Sequence, residues 1–338
     1  MPRHPRPLLR CAHTVLGAAL FAVLAALLGA PPAAAADNGR WAVSPVASKL
    51  GQRPYFFLMA DPGSTVTDKV VVANKSASAL TFRLYAADAY NTVRDGGFAV
   101  RGPAEKQTGI GAWTTTKQPR ITVPAHSART VPFTLTVPAG AEPGDHPGAL
   151  VALDERTQRA ADSLSVGVRQ AVGARIYLRV NGPTVTGLSV EDVRITHSQP
   201  LVPGTGSSLA VISYTLRNRG NVTLNPRVNL KATGLFGRTL LSRDLRALPT
   251  ELLPHQKVRL SERWAKAPQA DWGDVTLTAT ARDTEESGSA SYFALPWLVA
   301  SVLGAVVVAA VAWVLVRRRR RRGRAAAAPA APRVRVNS

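Results

Sequence analysis

The feature that most restricts this chain is a run of 24 residues, 293–316, without a charged side chain, followed directly by six arginines at 317–322. As a helix rising 1.5 Å per residue, that run is long enough to cross a hydrocarbon layer of about 30 Å. Basic residues beside a membrane helix stay on the cytoplasmic side, and aromatic residues favour its two interfaces. Trp297 and Trp313 near the ends of the run, with the arginines after it, therefore put the tail 317–338 inside the cell. At the other end, residues 1–36 have the three parts of a secretory signal: Arg3, Arg6 and Arg10, an apolar run at 14–28, then Pro31, Pro32 and four alanines. Cleavage after Ala36 fits the small-x-small rule. There is no twin arginine, and Cys11 precedes the apolar run, which argues against Tat export and lipidation. No Leu-Pro-x-Thr-Gly precedes the second run, so the anchor is expected to stay in the membrane. The expected product is a single-pass plasma-membrane protein with everything before the 293–316 helix outside the cell.

The formal net charge of +21 would suit a nucleic-acid binder if it were clustered. Three basic residues precede the first apolar run and nine follow the last. All 21 acidic residues lie between, so the exterior carries about +9, spread without a dense patch. That balance suits an anionic envelope, and no nucleic-acid partner is expected. The one cysteine, Cys11, leaves with the signal, so the exterior must be held by core packing alone, which calls for domains of ~100 residues or more.

Alternation with period two fills the exterior. Val131, Phe133, Leu135 and Val137 share one face, and Pro132 marks that strand as lying near an edge. Phe82 and Leu84, then Ile176, Leu178 and Val180, then Val275, Leu277, Ala279 and Ala281 follow the same rule. The order of signals repeats. A strand ends at Asn74 and another at Asn218, each followed by a turn and a second strand, and Pro124-Ala125-His126 and Pro254-His255-Gln256 each introduce a later one. The expectation is an all-β exterior of two Ig-like antiparallel β-sandwich domains, 37–182 and 183–290, divided at Asn181-Gly182-Pro183, followed by the single transmembrane α-helix. The stretch 102–119, holding Trp113, reads as an extra loop of the first domain.

The exterior lacks the familiar hydrolase, phosphate-loop and cysteine-metal motifs, so no catalytic residue, metal or cofactor is assigned. His126, His146, His197 and His255 have no partner at ligand spacing and read as solvated turn residues. Asp88 with Asp95, or Asp154 with Glu155, are the carboxylate pairs a glycan hydrolase would need, and each residue also suits a turn cap or a solvated strand end.

Several segments between about 40 and 180 carry a resemblance: Trp41-Ala42-Val43-Ser44-Pro45-Val46, Pro62-Gly63-Ser64-Thr65-Val66, Tyr85-Ala86-Ala87-Asp88-Ala89-Tyr90, Asp95-Gly96-Gly97-Phe98, Gly109-Ile110-Gly111-Ala112-Trp113 and Glu142-Pro143-Gly144-Asp145-His146-Pro147-Gly148-Ala149. Together with the Asn74 turn they resemble the peptidoglycan-binding domain of the WxL-interacting protein family. The resemblance implies binding to peptidoglycan or another wall polymer through the first domain, and partnership with surface proteins that bear a WxL domain. Tyr85, Tyr90 and Trp113 would supply aromatic faces to such a ligand, and Asp88, Asp145 and His146 hydrogen bonds. The leading expectation is a non-enzymatic, membrane-anchored envelope-binding protein; the rivals are an anchored wall hydrolase and a stalk or assembly factor for surface proteins.

Overall fold

The computed structural model describes residues 36–49, 51–156, 158–159, 167–200, 202, 205–245 and 251–326. The signal-peptide reading, apart from Ala36, and the tail beyond 326 lie outside these. The described residues form two compact units: one runs to Tyr90 and includes Ala99–Thr184, the other combines Asn91–Phe98 with the chain from Val185 onward.

The first unit is a sandwich of two sheets. One has the order β1 (Ala36–Asp37), β2 (Trp41–Pro45), β4 (Thr65–Asn74), β9 (Ala128–Thr136), β7 (Thr114–Thr116). The other has the order β3 (Phe56–Ala60), β13 (Ala171–Val180), β10 (Gly144–Asp154), β5 (Leu80–Asn91), β6 (Phe98–Val100), with β8 (Arg120–Val123) also on β5. A two-residue pairing of β11 (Gln158–Arg159) with β12 (Gly167–Val168) stands apart. The alternation read from sequence points the right residues inward: Val131, Phe133, Leu135 and Val137 are buried with Phe82, Leu84, Ile176, Leu178, Val180 and Trp41 in one core. Pro132 sits on β9 just past the last residue paired with β7, where a missing N–H removes no ladder bond to that strand. One pair departs from the antiparallel rule, since β3 runs parallel to β13 and forms the edge of its sheet.

The stretch expected as an extra loop is largely ordered. Residues 110–113 make one helical turn, α1 (Ile110–Trp113), and the chain passes straight into β7, which adds to the opposite sheet.

The second unit repeats the plan with fewer strands: β14 (Leu188–Ser198), β15 (Leu209–Asn218) and β18 (Lys257–Ala265) against β17 (Thr239–Leu245), β16 (Arg227–Thr233), β19 (Asp271–Ala281) and β20 (Thr284–Ala294). Its core gathers Ile212, Tyr214, Leu216, Val228, Leu230, Trp264, Val275, Leu277 and Tyr292. Residues 91–98 pack into this unit: the Asn91 side chain donates to Glu251 O at 2.8 Å and accepts from Leu253 N at 2.9 Å. No pattern in the sequence signals that assignment.

The final helix, α2 (Trp297–Ala326), contains an apolar stretch Leu298–Arg319 long enough to cross a membrane, 22 residues of mean hydropathy 2.7. It starts four residues later than the uncharged run. Phe293 and Ala294 are the last residues of β20, paired with Trp272 and Asp271, and the first helical bond runs from Ala300 N to Pro296 O at 3.1 Å. The uncharged run begins before the helix because a strand end that packs into the sandwich is also uncharged. The protein is thus all-β in two Ig-like sandwiches, followed by one apolar helix.

Candidate functional site

Three of the segments carrying the resemblance meet at one end of the first sandwich. β5 and β10 pair so that Gly148 lies opposite Asp88. Asp88 is buried, and its carboxylate accepts from the backbone N–H groups of Thr108, Gly109 and Gly111, with Gly111 N at 2.7 Å. Its own N–H donates to Gln107 Oε1 at 2.8 Å. A short helical turn leaves its first N–H groups without internal partners, and a carboxylate there satisfies them. Asp88 is therefore the anchor that holds the 107–111 loop.

Ile110, fully buried, is pressed over Gly148: a Cβ on that glycine would lie 2.5 Å from Ile110 Cβ and 2.7 Å from Ala87 O. Only glycine permits this approach. Three residues on, the half-buried Trp113 lies against His146, ring centroids 4.7 Å apart and 50° between planes. The His146 ring is bonded through Nε2 to Glu142 O at 2.7 Å. The segments around 88, 110 and 146 thus form one interlocked piece, of which Trp113 and His146 are partly open to solvent.

The other site candidates lie elsewhere. Asp145 projects from the opposite face of β10 and is ion-paired with Arg179, its register partner on β13. Tyr85 packs with Ala87, Ala149, Val151 and Val100 on the outer face of the β5–β10 pair, and burial raises its phenol above the ordinary value. Tyr90 is half-buried near the end of β5, on the same side of the strand as Asp88. The structure brings Asp88, Trp113 and His146 into one cluster and leaves Tyr85 and Asp145 on the far side of the sheet.

The carboxylates weighed as hydrolase pairs are each engaged locally. Asp95 bonds to Thr92 and accepts from Gly97 N, buried Asp154 accepts from Arg156 N at 3.0 Å, and Glu155 is ion-paired with Arg120. Among the described residues no group of three His, Cys, Asp or Glu is placed to hold a metal. His126 and His255 do sit in turns, at positive φ of 49° and 60°. His197 corrects the expectation of a solvated turn: it lies on β14, stacked on Tyr292 at 5.5 Å and 16°, with both ring nitrogens buried and no hydrogen-bond partner among the described residues. Burial holds its pKa below the ordinary histidine value.

A more open aromatic surface escaped the sequence. On the outer face of β3 and β13, Phe57 and Tyr177 are register partners whose rings stack at 5.4 Å and 13°, and Tyr55 stands edge-on to both at 6.0 and 5.6 Å. Phe57 is 68% exposed and Met59 beside it 72%. Arg175 donates to the Tyr177 hydroxyl at 3.1 Å and lies 5.5 Å from the centre of the Tyr55 ring. The run Tyr55-Phe56-Phe57-Leu58-Met59 is apolar on both faces, so alternation could not say which side is outward, and only the pairing with β13 adds Tyr177.

No family model and no curated protein matches the sequence. Solved structures similar to it include a chaperone–tip adhesin complex vital for activation of CFA/I fimbriae biogenesis, at 8% identity and a TM-score of 0.36, covering 75% of this chain and 98% of that one. A CsuC–CsuE chaperone–tip adhesion subunit pre-assembly complex from Acinetobacter baumannii is similar at 10% identity and TM-score 0.32, covering 65% and 89%. The Pseudomonas aeruginosa CupB2 chaperone is similar at 9% identity and TM-score 0.27, covering 71% and 97%.

Proposed function

We propose that this chain is a non-enzymatic protein of the cell envelope, held in the plasma membrane by α2 with its arginine tail inside, whose first sandwich binds a wall polymer built of sugar rings. The observation that carries the reading is the aromatic surface of Tyr55, Phe57 and Tyr177. Exposed rings held flat against one another present an apolar face to water, and a sugar ring has an apolar face that stacks on such a surface while its rim takes hydrogen bonds from neighbours such as Arg175 and Arg179. The resemblance to the peptidoglycan-binding domain points to the same ligand class. WxL-domain surface proteins are the protein partners that resemblance adds.

The test is co-sedimentation of the full-length protein with wall sacculi stripped of anionic polymers, in about 0.5 M salt, where the screening length falls well below its physiological ~8 Å. Wild type is expected to pellet, and Phe57→Ser and Tyr177→Ser to stay in solution with unchanged thermal transitions. Trp113→Ala asks separately whether the Trp113–His146 pair takes part. Loss of wild-type binding on stripping or in salt would reduce the interaction to basic charge and overturn the proposal.

A further inference from the structure

The second unit has its own exposed apolar surface, at the end of the sandwich from which the helix leaves. β20 ends at Ala294 and the helix starts at Trp297, so Ala294 lies within roughly 11 Å of the first helical residue even with the chain fully extended. The register carries other elements to the same end. Phe293 and Ala294 pair with Trp272 and Asp271, and the neighbouring strand β16 ends opposite Asp274 and turns through residues 234–238. That turn is fixed to β19: the Asp271 carboxylate accepts from Leu235 N at 2.9 Å and from Arg238 Nη2 at 3.0 Å.

What the turn holds out is Phe236, 102% exposed, with φ 58° and ψ 26°. Left-handed backbone is unfavourable for a bulky residue and marks a conformation imposed by its surroundings. At the same end of the sandwich, Trp272 and Phe293 are 52% and 58% exposed, with ring centroids 6.1 Å apart. Asp271 at this end is buried and paired with Arg238; of the exposed charges, Arg238 and Lys266 are basic and Asp274, which accepts from Ser291 Oγ at 2.7 Å, is acidic.

We propose that this end of the second sandwich rests in the headgroup layer of the bilayer its own helix crosses, with Phe236, Trp272 and Phe293 inserted as interfacial anchors and Arg238 and Lys266 facing lipid phosphates. The short connection leaves this end no distance from the membrane, and aromatic rings flanked by basic residues are the side chains that layer favours. The inference rests on the reading of Leu298–Arg319 as a membrane span and is indifferent to which side the sandwich occupies.

The test uses the full-length protein in lipid vesicles on a Cys11→Ser background, with single spin labels at Phe236→Cys, Trp272→Cys, Asp283→Cys in the turn at the opposite end of β20, and Val307→Cys in mid-helix. Labels at 236 and 272 are expected to collide several-fold less often with a water-soluble relaxing agent than the label at 283, and to remain shielded as protein is diluted in lipid. Equal accessibility at 236 and 283, with 307 shielded, would overturn the anchoring while leaving the membrane span intact. Shielding at 236 that disappears on dilution would also overturn it, because a second copy would then be the cover. Exposure of the label at 307 would sink the span and this inference together.

Discussion

The two sandwiches share a device and differ in what they leave uncovered. In the first, Asn74 at the end of β4 is buried, its amide donates to Ser78 O, Val123 O and Pro124 O at 2.8–3.0 Å, and its Oδ1 accepts from Ser76 N. In the second, Asn218 at the end of β15 is buried, donates to Val222 O and Leu252 O at 2.7 and 3.0 Å, and accepts from Gly220 N. Even the backbone agrees, with Asn74 N bonded to Ser127 O and Asn218 N to Gln256 O. Each asparagine ties the turn after its own strand to a later Pro-containing turn, because a side-chain amide can satisfy buried carbonyls on two segments at once. The shared polar knot fixes the plan; the exposed aromatics differ, on an outer sheet face in the first unit and at the helix end in the second.

The largest expected effect breaks that device. Asn218→Ala removes the side-chain partners of Val222 O and Gly220 N, while Leu252 O keeps Leu224 N. Asn74→Ala removes those of Val123 O and Ser76 N, while Ser78 O and Pro124 O keep the hydroxyls of Ser76 and Ser127. Each buried group costs about 1–3 kcal/mol when unsatisfied. Either substitution should destabilise its unit by roughly 3 kcal/mol or more, read as a lower melting temperature of the full-length protein with faster hydrogen exchange confined to the altered unit. If one asparagine can be replaced at a cost below about 1 kcal/mol, the two knots are not equivalent.

Asp88→Ala should come next, since it removes the acceptor for three loop N–H groups. About 2–3 kcal/mol is expected, with exchange accelerated over residues 102–113 and the Trp113 ring freed from its seat against His146. Gly148→Ala attacks the same assembly from below by driving a methyl into Ile110, at about 1–3 kcal/mol for overpacking. A companion Ile110→Val keeps both side-chain atoms the methyl would meet, Cβ and Cγ2, and should leave that cost standing. If it relieves the cost instead, the strain lies further out on the Ile110 side chain than the close approach places it.

Much of this was legible because period two is a strong signal where one face is wet. Val131, Phe133 and Leu135, or Val275, Leu277 and Ala279, announce their inward face directly. The repeated Asn and Pro–His signals were readable for the same local reason, as turn chemistry. Three things were not. The helix start was blurred because Phe293 and Ala294 close a strand yet look like membrane residues. The site was only partly legible: the segments around Asp88, Trp113 and His146 stood out, but their meeting depends on long-range register, which also sends Asp145 and Tyr85 to the other face. The surface at Tyr55, Phe57 and Tyr177 needs a parallel pairing across more than a hundred residues, for which no local pattern exists.

The smallest effect is a pH dependence specific to the second unit. His197 is packed between β14 and β20, its ring stacked on Tyr292 and 6.5 Å from Trp264, with its nitrogens unbonded among the described residues. Burial disfavours the imidazolium, so the folded pKa lies below the unfolded value of about 6.5. Above that value both states are neutral and the group contributes no slope. As pH falls through about 6.5 the unfolded chain takes up a proton that the folded unit resists, so stability declines until the folded pKa is reached and then levels off. His197→Phe keeps an aromatic ring on Tyr292 and removes the titration. Melting of the full-length protein, followed by hydrogen exchange in peptides of β14 and β20, should show an acid loss in wild type between about pH 7 and pH 5 that the variant lacks. An unchanged acid slope in His197→Phe would move its origin to another group.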